Sequence, residues 1–245
     1  MIRCAKVVEQ EKAKRYQYYF LLSGQDYLIK PMRWIESQLD SLYPKPLIDC
    51  TPYSDTNWIY YKFRNGSTSL RINKFIGKRL KDRPFLRKPF RLTELVLQRF
   101  EEMSKRNTYA RLDREQVRLF GGSAWWVLPD IVINYIIQEY NGNKEYIHFM
   151  LDESQTPEET FFQILTMRSP VSNLVEVNPI EMVAQNCKTW AYFSDDGKPF
   201  KGHPYIFTTQ EFDKLCASEC WFARKFDETV DNEIFDLIDQ KLLGV

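Results

Sequence analysis

The chain has 245 residues, 44% of them hydrophobic and 15% aromatic, which suits a folded globular protein and excludes an intrinsically disordered one. Basic and acidic residues nearly cancel, 34 against 33, so no global field draws the chain to nucleic acid. A chain of this length can bury a substantial core, as one α/β domain or two small ones.

In chain order, residues 2–15 are predicted as a helix and residues 16–22 as a compact, aromatic strand closed by the turn Ser23-Gly24-Gln25-Asp26. Residues 31–42 are amphipathic, with Met32, Ile35 and Leu39 on one face. A further strand is expected at 58–63. Residues 74–91, basic and broken by Pro84 and Pro89, read as a long loop, followed by a helix at 92–105. Gly121-Gly122-Ser123 leads into a short buried strand at 124–128, and a helix follows over 129–140. Residues 174–177 and 189–193 are predicted strands, and a last helix follows Asp227. Strands alternating with helices argue for an α/β sheet. No Gly-rich phosphate loop stands near the start, where a doubly wound fold usually has one.

Two T-x-x-E spacings mark helix starts. Thr156 and Glu159, with Pro157 at the first helical position, form one expected capping box and open a helix through Met167. Thr208 and Glu211 form the other and open a helix to about Ala217. Glu159 therefore has two competing jobs. It can cap a helix N-terminus, where the dipole favours a negative charge, or it can take a proton from a hydroxyl.

No segment resembles a signal peptide or a transmembrane span. The five cysteines, Cys4, Cys50, Cys187, Cys216 and Cys220, form no C-x-x-C pair and accompany only two histidines. They read as free thiols of a reducing cytoplasm rather than a zinc site. The basic runs at 74–81 and 87–91 have two readings, a solvated loop or a contact with an inner membrane surface or an anionic glycolipid.

Three segments could share a site with Glu159. Phe222-Ala223-Arg224-Lys225-Phe226-Asp227 sets two cations between aromatics, either as a surface pair snorkelling from an apolar strand or as a clamp on a leaving diphosphate. In Thr189-Trp190-Ala191-Tyr192-Phe193, alternation puts Trp190 and Tyr192 on one face, as part of a core strand or as a platform under a sugar ring. Gly121-Gly122-Ser123-Ala124-Trp125-Trp126 suits close backbone approach to a ligand and a plain turn into a strand equally well.

Singly these signals are weak, but their order along the chain is specific. Ser23-Gly24-Gln25-Asp26-Tyr27, the Gly-Gly-Ser-Ala-Trp-Trp segment, Pro157-Glu158-Glu159-Thr160-Phe161-Phe162, His203-Pro204 and Phe222-Ala223-Arg224-Lys225-Phe226-Asp227 together resemble one family. It is that of the core-2/I-branching β-1,6-N-acetylglucosaminyltransferases and their relatives the protein O-xylosyltransferases, and the bacterial members look closest. The similarity runs from about Tyr16 to near the C-terminus.

The resemblance implies a single α/β domain over 1–245 with a GT-A-like fold. It also implies inverting transfer of N-acetylglucosamine or xylose from a UDP-sugar to a hydroxyl of a glycan or glycoconjugate, with no metal ion and no other cofactor. The family's base falls on Glu159 and its diphosphate-binding Lys on Lys225, with Arg224 beside it. Its acceptor-facing Trp and Tyr fall on Trp190 and Tyr192. A second diphosphate-binding Arg of the animal enzymes has no clean counterpart, and Lys201 and His203 stand nearest. Trp125 and Trp126 are the further acceptor candidates. Ser23, Gly24, Asp26, Gly122 and Ser123 complete the shared motifs without an assigned role.

Compared with that family, the chain opens at the helix before the Ser-Gly-Gln-Asp strand. The first strands, which hold uracil and ribose, are expected to be missing, so the domain reads as N-terminally truncated. Sheet edges left open that way would call for an oligomer or a partner chain. Leu28 stands where the family commonly has Pro, and Ile164 where a Thr is common. The alternative reading from a different class is an inactive remnant that binds a glycan or a partner without turnover.

Overall fold

Strand β6 (Trp126–Pro129) is buried along its whole length, and the larger part of the fold is arranged around it. This is a computed structural model, and it describes residues 16–52, 118–142, 145, 147, 150–151, 156–178, 186–192 and 204–244. The expected helices at 2–15 and 92–105, the strand at 58–63 and the basic loop at 74–91 lie outside the described residues.

In chain order the described elements are β1 (Tyr18–Leu21), β2 (Asp26–Leu28), α1 (Met32–Leu42), β3 (Leu47–Ile48), β4 (Thr51–Pro52), β5 (Phe120–Gly121), β6 and α2 (Asp130–Asn141). There follow α3 (Phe161–Thr166), β7 (Thr189–Ala191), α4 (Phe212–Ala217), β8 (Phe222–Arg224) and α5 (Glu233–Ile238). Short 3-10 turns stand at Pro157–Glu159, Ser172–Leu174 and Thr209–Glu211. Among the described residues no helix is long and apolar enough to cross a membrane.

The strands form two three-stranded sheets, ordered β1-β6-β3 and β2-β8-β7, and one pair, β4-β5. All pairings are antiparallel except β7 with β8. Mixed helices and small sheets of this kind make an α/β domain. Residues 174–177, expected as a strand, instead hold the end of a 3-10 turn and a single bridge from Val177 to Cys50.

Alternation along β6 divides its side chains between two cores. Trp126 and Leu128 pack with α2 and α3, where Ile133, Ile137, Phe161 and Ile164 meet. Val127 faces the other way, toward Tyr18, Ile35, Leu39 and Phe222. On α1, Ile35 and Leu39 are buried as the spacing predicts, whereas Met32 at the first turn is exposed. A third cluster under β7 and β8 contains Tyr192, Phe207, Phe226 and Ile234. Burying each such large side chain contributes roughly 1.5–3 kcal/mol before the entropy of ordering it is subtracted.

Helix starts follow the sequence in one case and depart from it in the other. At Thr208 the expected capping box is complete: Glu211 Oε2 accepts from the Thr208 N–H at 3.0 Å and from its hydroxyl at 2.8 Å. At Thr156 it does not form. The Glu159 N–H goes to the Thr156 carbonyl at 3.0 Å, closing a 3-10 turn, and the Thr156 side chain caps nothing. The α-helix begins only at Phe161.

Lys188 turns the chain into β7 with φ of 59°, a left-handed conformation that costs a non-glycine residue roughly 1–2 kcal/mol. The turn lets its carbonyl accept from Trp221 N at 2.9 Å and Phe222 N at 3.1 Å, which sets the register of β7 on β8.

Candidate functional site

Asp26 gathers contacts from three separate parts of the chain. Its Oδ2 accepts from the Ser23 N–H at 2.6 Å and from the Trp125 indole Nε1–H at 2.7 Å. Its Oδ1 accepts from the Ser23 hydroxyl at 2.8 Å and lies 3.4 Å from Arg224 Nε. The Asp26 N–H closes the turn onto the Ser23 carbonyl at 3.2 Å. The Ser-Gly-Gln-Asp turn thus folds its carboxylate back on itself, leaving the Asp26 side chain 1% exposed. Gly24 stands open at the tip.

Arg224 is placed by pairing, since β2 and β8 set it opposite Asp26. Its guanidinium lies over the Trp125 ring, 3.8 Å from the centroid, a cation–π contact. Burial pulls the Arg224 group below its ordinary value, and the Asp26 charge opposes that shift. Charge and face are both engaged within the protein. The cation expected to join a diphosphate clamp is therefore already compensated.

Lys225 is fixed differently. Its peptide bond to Arg224 is cis, its N–H donates to the Tyr205 carbonyl at 3.3 Å, and its carbonyl accepts from Phe207 N at 2.8 Å. Among the described residues its ammonium makes no ion pair. Lys201 and His203 lie outside the described residues.

The Gly-Gly-Ser segment packs against protein backbone. A Cβ on Gly122 would stand 1.8 Å from the Asp49 carbonyl oxygen and 2.6 Å from its carbon, so only glycine fits. Its N–H donates to the Glu159 carbonyl at 2.9 Å. One residue on, the Ser123 carbonyl accepts from Gln163 Nε2 at 2.7 Å. The segment is thereby tied at two points to the stretch that carries Glu159, whose side chain is half-buried.

Of the aromatic candidates, Trp125 is half-buried at the Asp26–Arg224 pair, while Trp126 belongs to the core at 6% exposure, against the Phe162 ring at 4.8 Å. Trp126 therefore presents no face to an acceptor. Trp190 and Tyr192 do share a side of β7, with ring centroids 5.9 Å apart. Tyr192, however, stacks on Phe207 at 5.2 Å and is 2% exposed, so the core-strand reading holds for it. Trp190 is half-buried and is the more open of the two.

Two residues escaped the sequence reading. Asp49 is buried beneath Gly122, its Oδ1 accepting from Asn186 N at 2.8 Å. Burial raises its carboxyl above the ordinary value, against hydrogen bonds from Cys187, Asn186 and Asn178. Gln163 is the second tie to the glycine segment. Each is a lone polar residue inside an apolar run, Leu47-Ile48-Asp49-Cys50 and Phe161-Phe162-Gln163-Ile164-Leu165, and that interruption was the available signal. Cys50, Cys187, Cys216 and Cys220 form no disulfide, and among the described residues no group of three His, Cys, Asp or Glu could hold a metal ion.

The sequence model of the core-2/I-branching enzyme family matches residues 48–216, more than half of the chain. The chain belongs to this family. It is thus a glycosyltransferase-family domain, as the ordered motifs led one to expect. The match spans Gly121–Trp126, Glu159 and Trp190 but stops short of Asp26 and Lys225. Those two flanking motifs are joined to it by the contacts above. A search of curated proteins gave no match.

Proposed function

We propose that this domain has a GT-A-like fold and transfers a sugar, N-acetylglucosamine or xylose, from a UDP-sugar to a hydroxyl of a glycan or glycoconjugate, with inversion and without a metal ion. Glu159 removes the acceptor proton as the acceptor oxygen attacks the anomeric carbon from the face opposite UDP. The bond from that carbon to the diphosphate oxygen breaks, and its electron pair leaves with UDP. Lys225 supplies the positive charge that the departing diphosphate needs. Trp190 and Trp125 line the acceptor side.

One observation carries this reading: the Gly122–Trp125 segment joins the two chemical parts. At its start Gly122 holds the Glu159 backbone, and at its end Trp125 stacks on Arg224, the neighbour of Lys225. Residues that are more than 60 positions apart in sequence are thereby linked through a single four-residue bridge.

The test is transfer from UDP-N-acetylglucosamine and UDP-xylose to a panel of glycan acceptors, with EDTA and with added manganese. Turnover that survives EDTA, gives the inverted anomer and is lost in Glu159→Gln is the expected result. Binding of glycans without turnover of any UDP-sugar would overturn the enzymatic reading.

A further inference from the structure

Resting on that reading, we infer that Asp26 is a positioning residue that withdraws Arg224 from the donor, so that of the two adjacent cations Lys225 is the one that meets the diphosphate. Arg224 ends strand β8 and Lys225 follows it directly, so the two cations stand close enough to be offered to one anion. Here the first is occupied. Arg224 lies between the Trp125 face at 3.8 Å and Asp26 Oδ1 at 3.4 Å, with its side chain only 12% exposed. For Arg224 to reach a phosphate it would have to leave both, and Asp26 would then stay buried with its charge uncompensated, an expensive state.

Asp26 cannot turn away to release it. Both of its oxygens are held by Ser23, and Oδ2 also takes the Trp125 indole proton. Its backbone is paired to Arg224 in the sheet, and the next turn of chain is fastened by Phe226 N to the Gln25 carbonyl at 2.9 Å. The same carboxylate therefore fixes the cation and the aromatic plate beneath it. Trp125 in turn continues the segment whose Gly122 holds the Glu159 backbone. Asp26 acts on the reaction through these neighbours and touches neither substrate.

The decisive measurement is UDP affinity by calorimetry, set beside donor KM and kcat for transfer, on the full chain. Lys225→Ala should weaken UDP by about tenfold or more. Arg224→Gln should bind UDP within about threefold of the wild type, because it loses no direct contact and only a screened charge. Asp26→Asn should bind UDP as well as the wild type or tighter, since it frees the guanidinium beside Lys225. Both Asp26→Asn and Arg224→Gln should lower kcat without raising donor KM.

A general loosening of the fold would instead weaken UDP in every variant. If Asp26→Asn does not fold, Trp125→Phe, which removes the indole donor but keeps an aromatic face, carries the same expectation of lowered kcat at unchanged UDP affinity. Loss of UDP binding in Arg224→Gln equal to that in Lys225→Ala overturns this inference and leaves the functional reading standing. Failure of the wild type to bind UDP overturns the functional reading and this inference with it.

Discussion

The Gly122 N–H donates to the Glu159 carbonyl at 2.9 Å, so the candidate base is anchored through its backbone. That tie does not depend on the carboxylate. Folding and chemistry at Glu159 can be separated by a change confined to the side chain.

Glu159→Gln keeps that backbone tie and nearly the same side-chain shape, so it should melt close to the wild type and lose turnover by about 10²–10⁴-fold, the usual contribution of a general base. Thermal melts and single-turnover transfer assays check the two halves. A variant that melts normally and still turns over like the wild type removes Glu159 from the base role.

Gly122→Ala should damage the fold. Its new methyl would meet the Asp49 carbonyl oxygen at 1.8 Å, and backbone on both sides has little room to yield. Overpacking of this kind costs about 1–3 kcal/mol, occasionally more. Gly24→Ala meets nothing within 4 Å and should stay within about 0.5 kcal/mol of the wild type. Denaturant midpoints of the pair provide the comparison, and equal midpoints would contradict it.

Asp49 gives a pH dependence of defined sign. Burial raises its carboxyl in the folded state, so between the unfolded value, about 3.9, and the raised folded value the unfolded chain binds fewer protons. The stability contributed by this group therefore falls as pH rises through that window. Asp49→Asn cannot ionise and keeps an oxygen for the Asn186 N–H. Its stability relative to the wild type should improve as pH is raised above about 4 and level off past the raised folded value, measured by denaturant midpoints at each pH. A difference that is flat with pH, or runs the other way, contradicts the assignment.

The thiols should divide by burial. Cys216 is exposed, whereas Cys50, Cys187 and Cys220 are buried, with the Cys220 thiol pushed up to about 11. Labelling of the native protein with a disulfide reagent at neutral pH should lose one fast equivalent in Cys216→Ser. Serine at Cys50, Cys187 or Cys220 should leave the fast phase unchanged, because thiolate and access are both lacking there.

What could be read from the sequence was local chemistry together with the order of motifs. The Thr208–Glu211 box formed as its spacing predicted, because both of its partners lie within one turn of chain. The Thr156–Glu159 box has the same spacing and did not form. There the stretch closes a tight backbone turn, and the Glu159 carbonyl is committed to Gly122. Two-residue strands such as β4 and β5 give no periodic signal and exist only through their pairing across a long interval of chain. Trp126 stands beside Trp125 in the sequence as a second acceptor candidate. Strand alternation sends the two rings to opposite sides, one to Phe162 and one to Arg224. Asp26 stood in a motif without a role because its partners, Trp125 and Arg224, are distant in sequence.

Strand β8 has three residues and is gripped on both edges, by β2 at Asp26–Leu28 and by β7 at Thr189–Ala191. A slip of one position would put Ala223 opposite Asp26 and swing Arg224 away from Trp125. The alignment of the cations thus rests on the residues that seat the two faces of the strand, Phe222 in one core and the fully buried Ala223 in another, and on the left-handed step at Lys188. Specificity could therefore be lost through a residue that no substrate ever meets. Enlarging Ala223 would misregister the charges above it while leaving every polar group of the site in the sequence.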